Sequence, residues 1–320
     1  MKNKLYTFVC FYLTVPLFVL FFGLLSGVFL NGVVAQTVQS EEIPEGDLSK
    51  LLENDLFPSK NLDENEDLPK TLHPIIERTV SSDSNILNET NYTIKEKEIL
   101  KYAPSYSHTS PLPLVLIVHT HGTECYSETT DYYDETLTKT RTEDTNKNVV
   151  AVGRALCDEL IAQGISTLHC EQMFDKDNYN DAYKNSGAKI EEYLKEYPSI
   201  KLVIDVHRDS LVSQELVKIK TVAEKGCAQV MIVAGSDAGG AVYPNWKRNL
   251  ALSLKIKEVM DNEYPSLSRP IFFRGARYNQ HLPYSSFLLE VGTCGNTLEE
   301  AITAAKRSAF CIAEVIKLSR

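Results

Sequence analysis

No two of the seven cysteines in this 320-residue chain form a CxxC pair. A thiolate zinc site and a thioredoxin-like redox pair are therefore without support. Their odd number and irregular intervals do not make a disulfide framework. They read as small buried hydrophobes, with a single disulfide among those from Cys125 onward left open. A GxGxxG or Walker-type loop is also missing, so nothing in the chain is built to cradle a nucleotide phosphate. Internal repeats are absent. So is any basic excess: 33 Lys and Arg stand against 43 Asp and Glu, for a net charge of −10 and a pI near 5.3. Neutralising nucleic-acid phosphates needs clustered cations, and this balance argues against nucleic acid as a partner.

Charge is missing altogether between Lys4 and Glu41, where the sequence runs LYTFVCFYLTVPLFVLFFGLLSGVFLNGVVAQ before Thr37. A helix needs about 20 apolar residues to cross a bilayer core, and this run is longer. Lys2 and Lys4 precede it and acids follow, so the expectation is an N-terminal transmembrane helix within residues 1–36. Its N-terminus would be cytoplasmic and the rest of the chain exported. A cleaved signal peptide ending near Ala35 is the rival, but signal-peptide cores are only about 7 to 15 residues long. Residues 37–109 are rich in Asp, Glu, Ser, Asn and Pro and hold no sustained apolar period. They read as an acidic, mostly irregular linker or partner-docking segment, with helical turns at Leu48–Leu56 and Ile94–Tyr102.

With 43 % hydrophobic and 24 % charged residues, the remainder suffices for one α/β domain of about 200 residues, expected over residues 110–320. Leu112–His119, Ile165–His169, Lys201–Val206, Gln229–Ala234, Ile271–Arg274 and Ser286–Val291 read as strands, and Thr221 and Val222 as part of an outer one. Asn148–Gln163, Tyr183–Tyr197, Trp246–Asn262 and Leu298–Leu318 carry helical patterns. Strands alternating with helices imply a mostly parallel sheet flanked by helices, with ligands bound beyond the strand carboxyl ends.

Three polar clusters stand at three such ends: His119-Thr120-His121-Gly122-Thr123-Glu124, Asp205-Val206-His207-Arg208-Asp209, and Glu290 followed by Val291-Gly292-Thr293. Each has an ordinary reading, a structural histidine or an ion-paired acid. Their common position favours one site. His121 and Glu124, three apart on a turn, with His207, would give two nitrogen ligands and one carboxylate and leave a place for water. That is the pattern of a catalytic rather than a structural zinc. Asp205 or Asp209 would fix a ligand imidazole, and Glu290 would move protons. Arg208 or Arg277 would orient a substrate carboxylate or the oxyanion. His119 is either a ligand in place of His121 or a supporting hydrogen-bond partner. His281, in the polar stretch Arg277-Tyr278-Asn279-Gln280-His281, would line a groove. Tyr126, Tyr132 and Tyr133 fall in a long loop over the site. His73, His108 and His169 read as ordinary.

VLIVHTHGTECY, NVVAVGRALCDEL, YPSIKLVIDVHRDS, RYNQHLPY and LLEVGTCGNTLEEA together resemble the stage II sporulation protein P family of endospore formers, over roughly residues 110–318. The resemblance implies an amidase or zinc-carboxypeptidase-like fold and a zinc N-acetylmuramoyl-L-alanine amidase that also has endopeptidase activity on peptidoglycan. It implies action at the septal membrane during engulfment, beside the membrane protein M and the lytic transglycosylase D of the same sporulation stage. It carries His121, His207 and Glu290 over as ligands and catalytic acid. Glu124 is the remaining ligand by spacing, and Glu143, near the start of the following helix, is the alternative. Cys125 stands where Ser is commoner in the family.

Overall fold

The computed structural model describes residues 71–212 and 216–319. The expected N-terminal helix lies outside them. Among the described residues no helix is long and apolar enough to cross a membrane.

The strands are β1 Leu72–Arg78, β2 Ile86–Asn88, β3 Val115–Val118, β4 Tyr132–Asp134, β5 Thr167–His169, β6 Leu202–Asp209, β7 Lys218–Glu224, β8 Cys227–Ala228, β9 Val230–Gly235, β10 Ile271–Arg274 and β11 Ser285–Thr293. The helices are α1 Glu96–Ile99, α2 Val149–Ala162, α3 Ala182–Glu196, α4 Trp246–Glu263 and α5 Leu298–Leu318. A seven-stranded sheet runs β2-β10-β9-β11-β6-β3-β5, and a four-stranded one β4-β1-β7-β8. In the larger sheet every adjacent pair is parallel except β9 with β11. The architecture is α/β with mixed sheets.

The helices form where the sequence supplies caps and stripes. The side chain of Asn148 accepts from Val150 N to start α2. Thr297 and Glu300 cap α5 reciprocally, satisfying two backbone donors that helix geometry leaves unpaired.

Side chains alternate across a strand, and here the alternation sorts chemistry from core. Val115 and Ile117 of β3, Ile204 and Val206 of β6, and Leu289 and Val291 of β11 face a back-side core with α2, α4 and α5. Leu116, Val118 and Val203 face the front, under α3. Continuing that front row upward, β6 presents Asp205, His207 and Asp209, while β11 presents Leu288 and then Glu290. Six of the seven cysteines are described, and all six are buried and free. The disulfide left open by sequence is not formed among them.

The linker boundary expected at residue 109 is corrected. β1 pairs with β7 and β4, and β2 pairs with β10, so residues 72–88 contribute strands to both sheets. Tyr92 stacks on Trp246 at 5.0 Å and donates to Asp237 Oδ1 at 2.8 Å. Such short, half-buried strands carry no apolar alternation of their own and are defined by the partner strand. Of the expected helical turns, Leu48–Leu56 lies outside the described residues. Ile94–Tyr102 contains α1 and a 3₁₀ turn at Leu100–Tyr102.

Candidate active site

The site begins where β3 stops. Val118 is the last residue paired with β6, opposite Asp205. The next three residues turn over the strand ends. Thr120 donates to Asp205 from its backbone N at 2.8 Å and from Oγ1 at 2.6 Å. Asp205 Oδ1 in turn lies 3.0 Å from His207 Nε2. The other edge of His207 faces Glu124, with Nδ1 3.5 Å from Oε2. Glu124 also accepts from Arg208 N at 3.1 Å. Glu290 is the register partner of His207 on the adjacent parallel strand, so the two side chains rise from the same face.

His121 closes the cluster from above. Its ring meets the His207 ring edge-on, with centroids 5.4 Å apart at 79°. Tyr179 stacks on it at 4.4 Å and Tyr183 meets it edge-on at 5.5 Å. Its Nδ1 is 3.7 Å from Asp175 Oδ2. Asp175 is held by Thr123 N and Oγ1 (3.1 and 2.6 Å) and by Arg141 Nη1 at 2.7 Å. Gly122 permits this approach, because a Cβ there would come within 2.6 Å of Met173 Cγ. Asp175, Arg141 and Tyr179 went unnoticed in the sequence. They come from two long loops, and no spacing signal ties them to the HTHG turn.

The two glutamates are driven apart. Burial works to raise Glu124, but the His207 hydrogen bond and the charges of Arg208, His207 and His121 hold it well below the carboxylate range. Burial, reinforced by the Asp209 and Glu124 charges, pushes Glu290 up to about 8 against His207 and Arg269. Burial likewise opposes the His207 cation, yet Asp205 and Glu124 raise it well above its usual value. One carboxyl is thus kept ionised and the other near neutrality, the division that acid–base chemistry at pH 7 requires.

Among the described residues no group of three or more His, Cys, Asp or Glu is gathered as a ready cage for an ion. The pairwise geometry nevertheless suits zinc. Ligands at about 2.0–2.1 Å in a tetrahedron put neighbouring donor atoms roughly 3.3 Å apart and the centres of two imidazoles roughly 5 Å apart. The observed separations are 3.5 Å for His207 and Glu124 and 5.4 Å for the two rings. His121 Nδ1 and Glu290 Oε2 are buried without a hydrogen-bond partner, as is His207 Nε2 despite its contact with Asp205.

Other residues expected at the site are placed elsewhere. Arg208 turns to the back of β6, where its guanidinium binds the carbonyls of Cys125 and Thr140, each at 2.9 Å. It locks the loop and is spent on that task. Asp209 pairs with Arg269 Nη2 at 2.7 Å, so Asp205, not Asp209, supports His207. Glu143 forms a surface pair with Lys176. His119 also points to the back, away from His207, bonded to Val206 O and to His169. His281 lies among Arg277, Glu191 and the Tyr243 ring, which it meets edge-on at 6.2 Å. Tyr126 is buried and donates to Val291 O at 2.9 Å. Tyr132 and Tyr133 form β4.

The sequence model described as stage II sporulation protein P matches residues 38–317. The chain belongs to the stage II sporulation protein P family. Within the family, the stage II sporulation protein P of Bacillus subtilis (strain 168) is 28 % identical over 228 residues, covering 66 % of this chain and 53 % of that protein. The chain thus spans about half the length of the curated relative it matches. Among solved structures, the N-acetylmuramoyl-L-alanine amidase AmiC2 of Nostoc punctiforme aligns with a TM-score of 0.40 at 13 % identity, covering 65 % of this chain and 96 % of that one. The CwlD amidase from Clostridioides difficile, solved in complex with the GerS lipoprotein, aligns with a TM-score of 0.38 at 14 % identity, covering 64 % and 96 %. These likenesses are too distant to assign residues.

Proposed function

We propose that the chain is a zinc-dependent peptidoglycan hydrolase. It cleaves the amide between N-acetylmuramic acid and L-alanine, and also stem-peptide cross-links, in septal wall thinning and engulfment during sporulation. The observation that carries the reading is the convergence of His121, Glu124, His207 and Glu290 at the carboxyl ends of β3, β6 and β11, in a chain of this family.

His121, Glu124 and His207 would hold the ion, with Asp205 orienting the His207 ring and Asp175 facing His121. When bound, zinc polarises the scissile carbonyl and makes a water nucleophile available near neutral pH. Glu290, standing beside His207, accepts a proton from the attacking water and returns it to the leaving amine of L-alanine as the C–N bond breaks. Tyr179 and Tyr183 shield the His121 ring from solvent.

The reading includes a single-pass anchor with a cytoplasmic N-terminus and an extracytoplasmic domain at the sporulation septum. It rests on the uncharged run from Leu5 to Ser40 behind Lys2 and Lys4. The stage II sporulation proteins D and M are the partners it expects there.

The test digests purified sacculi with the full-length chain and measures bound metal. The expected products are free stem peptides beginning with L-alanine, from a protein carrying about one zinc. Release of single C-terminal amino acids would point instead to a carboxypeptidase-like peptidase. Sacculus binding without products would mark a non-catalytic wall module.

A further inference from the structure

The ladder between β3 and β6 ends at Val118 and Asp205, two residues short of His207. Side chains continue it. In front, Thr120 holds Asp205, which contacts His207 Nε2 at 3.0 Å. Behind, His119 Nδ1 lies 2.9 Å from Val206 O, the carbonyl of the peptide bond that leads into His207.

A carbonyl only accepts, so His119 must donate from Nδ1. A neutral imidazole then has only an acceptor left at Nε2. His119 is completely buried. Its Nε2 sits 2.8 Å from His169 Nε2, which must therefore carry the proton of that bond. His169 Nδ1 in turn lies 3.6 Å from Glu171 Oε1, and Glu171 is gripped by Arg154 Nε and Nη2 at 3.0 and 2.9 Å. The room for this histidine pair is made by Gly153 on α2. A Cβ there would lie 2.4 Å from both Cε1 and Nε2 of His119 and 2.9 Å from His169 Nε2.

We propose that His169 is a positioning residue for His207, acting from the back of the sheet through His119 and the Val206 carbonyl, with Gly153 reserving the space. His169, ordinary by its sequence context, thereby joins the support of the site. The inference rests on reading His207 as a zinc ligand.

Four variants of the full-length protein test it. His169→Leu removes the donor to His119. His169→Gln keeps an N–H donor. Gly153→Ala displaces the His119 ring directly. Ile312→Ala truncates the α5 core, where Ile312 is fully buried, and controls for lost stability. Partners behind a metal ligand typically shift metal affinity by about 10- to 100-fold. We expect zinc affinity, measured by chelator competition, to fall at least about tenfold in His169→Leu and Gly153→Ala. His169→Gln should stay close to wild type, and Ile312→Ala should lower the melting temperature while leaving affinity unchanged. Wild-type affinity in His169→Leu, or a loss no larger than that of Ile312→Ala, overturns the proposal. Imidazole ¹⁵N spectra of the metal-free protein give an independent reading. His119 should be protonated on Nδ1 and His169 on Nε2, and a proton on His119 Nε2 overturns the arrangement. Should the wild type bind no zinc, the zinc reading fails on its own. The His207 ring shifts then decide the positioning role, supported if His169→Leu moves them and overturned if it does not.

Discussion

The HTHGTE stretch after β3 and the RYNQH stretch after β10 are about equally polar in sequence, yet they do opposite work. In the first, His121 and Glu124 reach over the strand ends to meet His207, and Thr120 holds the acid that supports it. In the second, Gln280 is fully buried, accepting from Gly235 N at 2.9 Å and donating to Val233 O at 3.0 Å. Asn279 donates to Tyr183 O at 2.7 Å and to Ser186 Oγ at 3.0 Å. The RYNQH stretch thus satisfies backbone groups of β9 and α3. Polarity after a strand is therefore ambiguous. β9 and β10 also end side by side, at Gly235 and Arg274, so what separates the two is which side chains the strand ends bring together.

The contrast can be broken by substitution, most strongly at Glu290. Glu290→Gln should lower kcat on sacculi by about 10² to 10⁴, the usual worth of a general acid–base group, while metal analysis shows zinc retained. An active Glu290→Gln protein would remove the chemistry from this end of the sheet. Gln280→Leu should act in the reverse sense. It takes the side-chain partner from the buried Gly235 N–H, Val233 C=O and Tyr243 O–H, costing about 2 to 5 kcal/mol in urea denaturation, with kcat per folded molecule unchanged.

A smaller effect concerns pH. Glu290 titrates near 8 in the folded, metal-free protein, above its ordinary value of 4.5. The folded state thus holds this proton more tightly than the unfolded chain does. Its stabilising contribution is complete below about pH 4.5 and is lost as pH rises through about 8. Metal-free Glu290→Gln should therefore be more stable than wild type in denaturation at pH 9, and the advantage should vanish at pH 4. The reverse pH trend would contradict the burial of this carboxyl. Smallest of all, Glu143→Gln breaks only an exposed pair with Lys176. It should change stability by no more than about 1 kcal/mol and leave zinc content untouched, sharpening the choice of Glu124 over Glu143.

Some of what the sequence reading missed was within its reach. Arg208 follows His207 on a strand, and a period of two puts it on the opposite face, away from any substrate. The same alternation places Asp205 and Asp209 together with His207 but cannot say which of them the ring will touch. Arg269 decided that by claiming Asp209. Nothing in the local pattern marks Asp175, whose loop is brought to His121 by the close approach of Met173 to Gly122. His169 escaped because its partner lies 50 residues away, just past the end of the neighbouring strand.

The sequence by itself determined the order of the main strands and helices from Leu112 onward, the family, and the three strand ends that carry His121, His207 and Glu290. Apolar periodicity and local motifs are properties of neighbouring residues and survive without a fold. Only the tertiary structure decided which face each side chain takes, that residues 72–88 complete the sheets, and that one buried glutamate stays ionised while the other is pushed towards neutrality. Those outcomes depend on burial and on charges brought within a few ångströms by pairing between distant strands, and no stretch of sequence contains them alone.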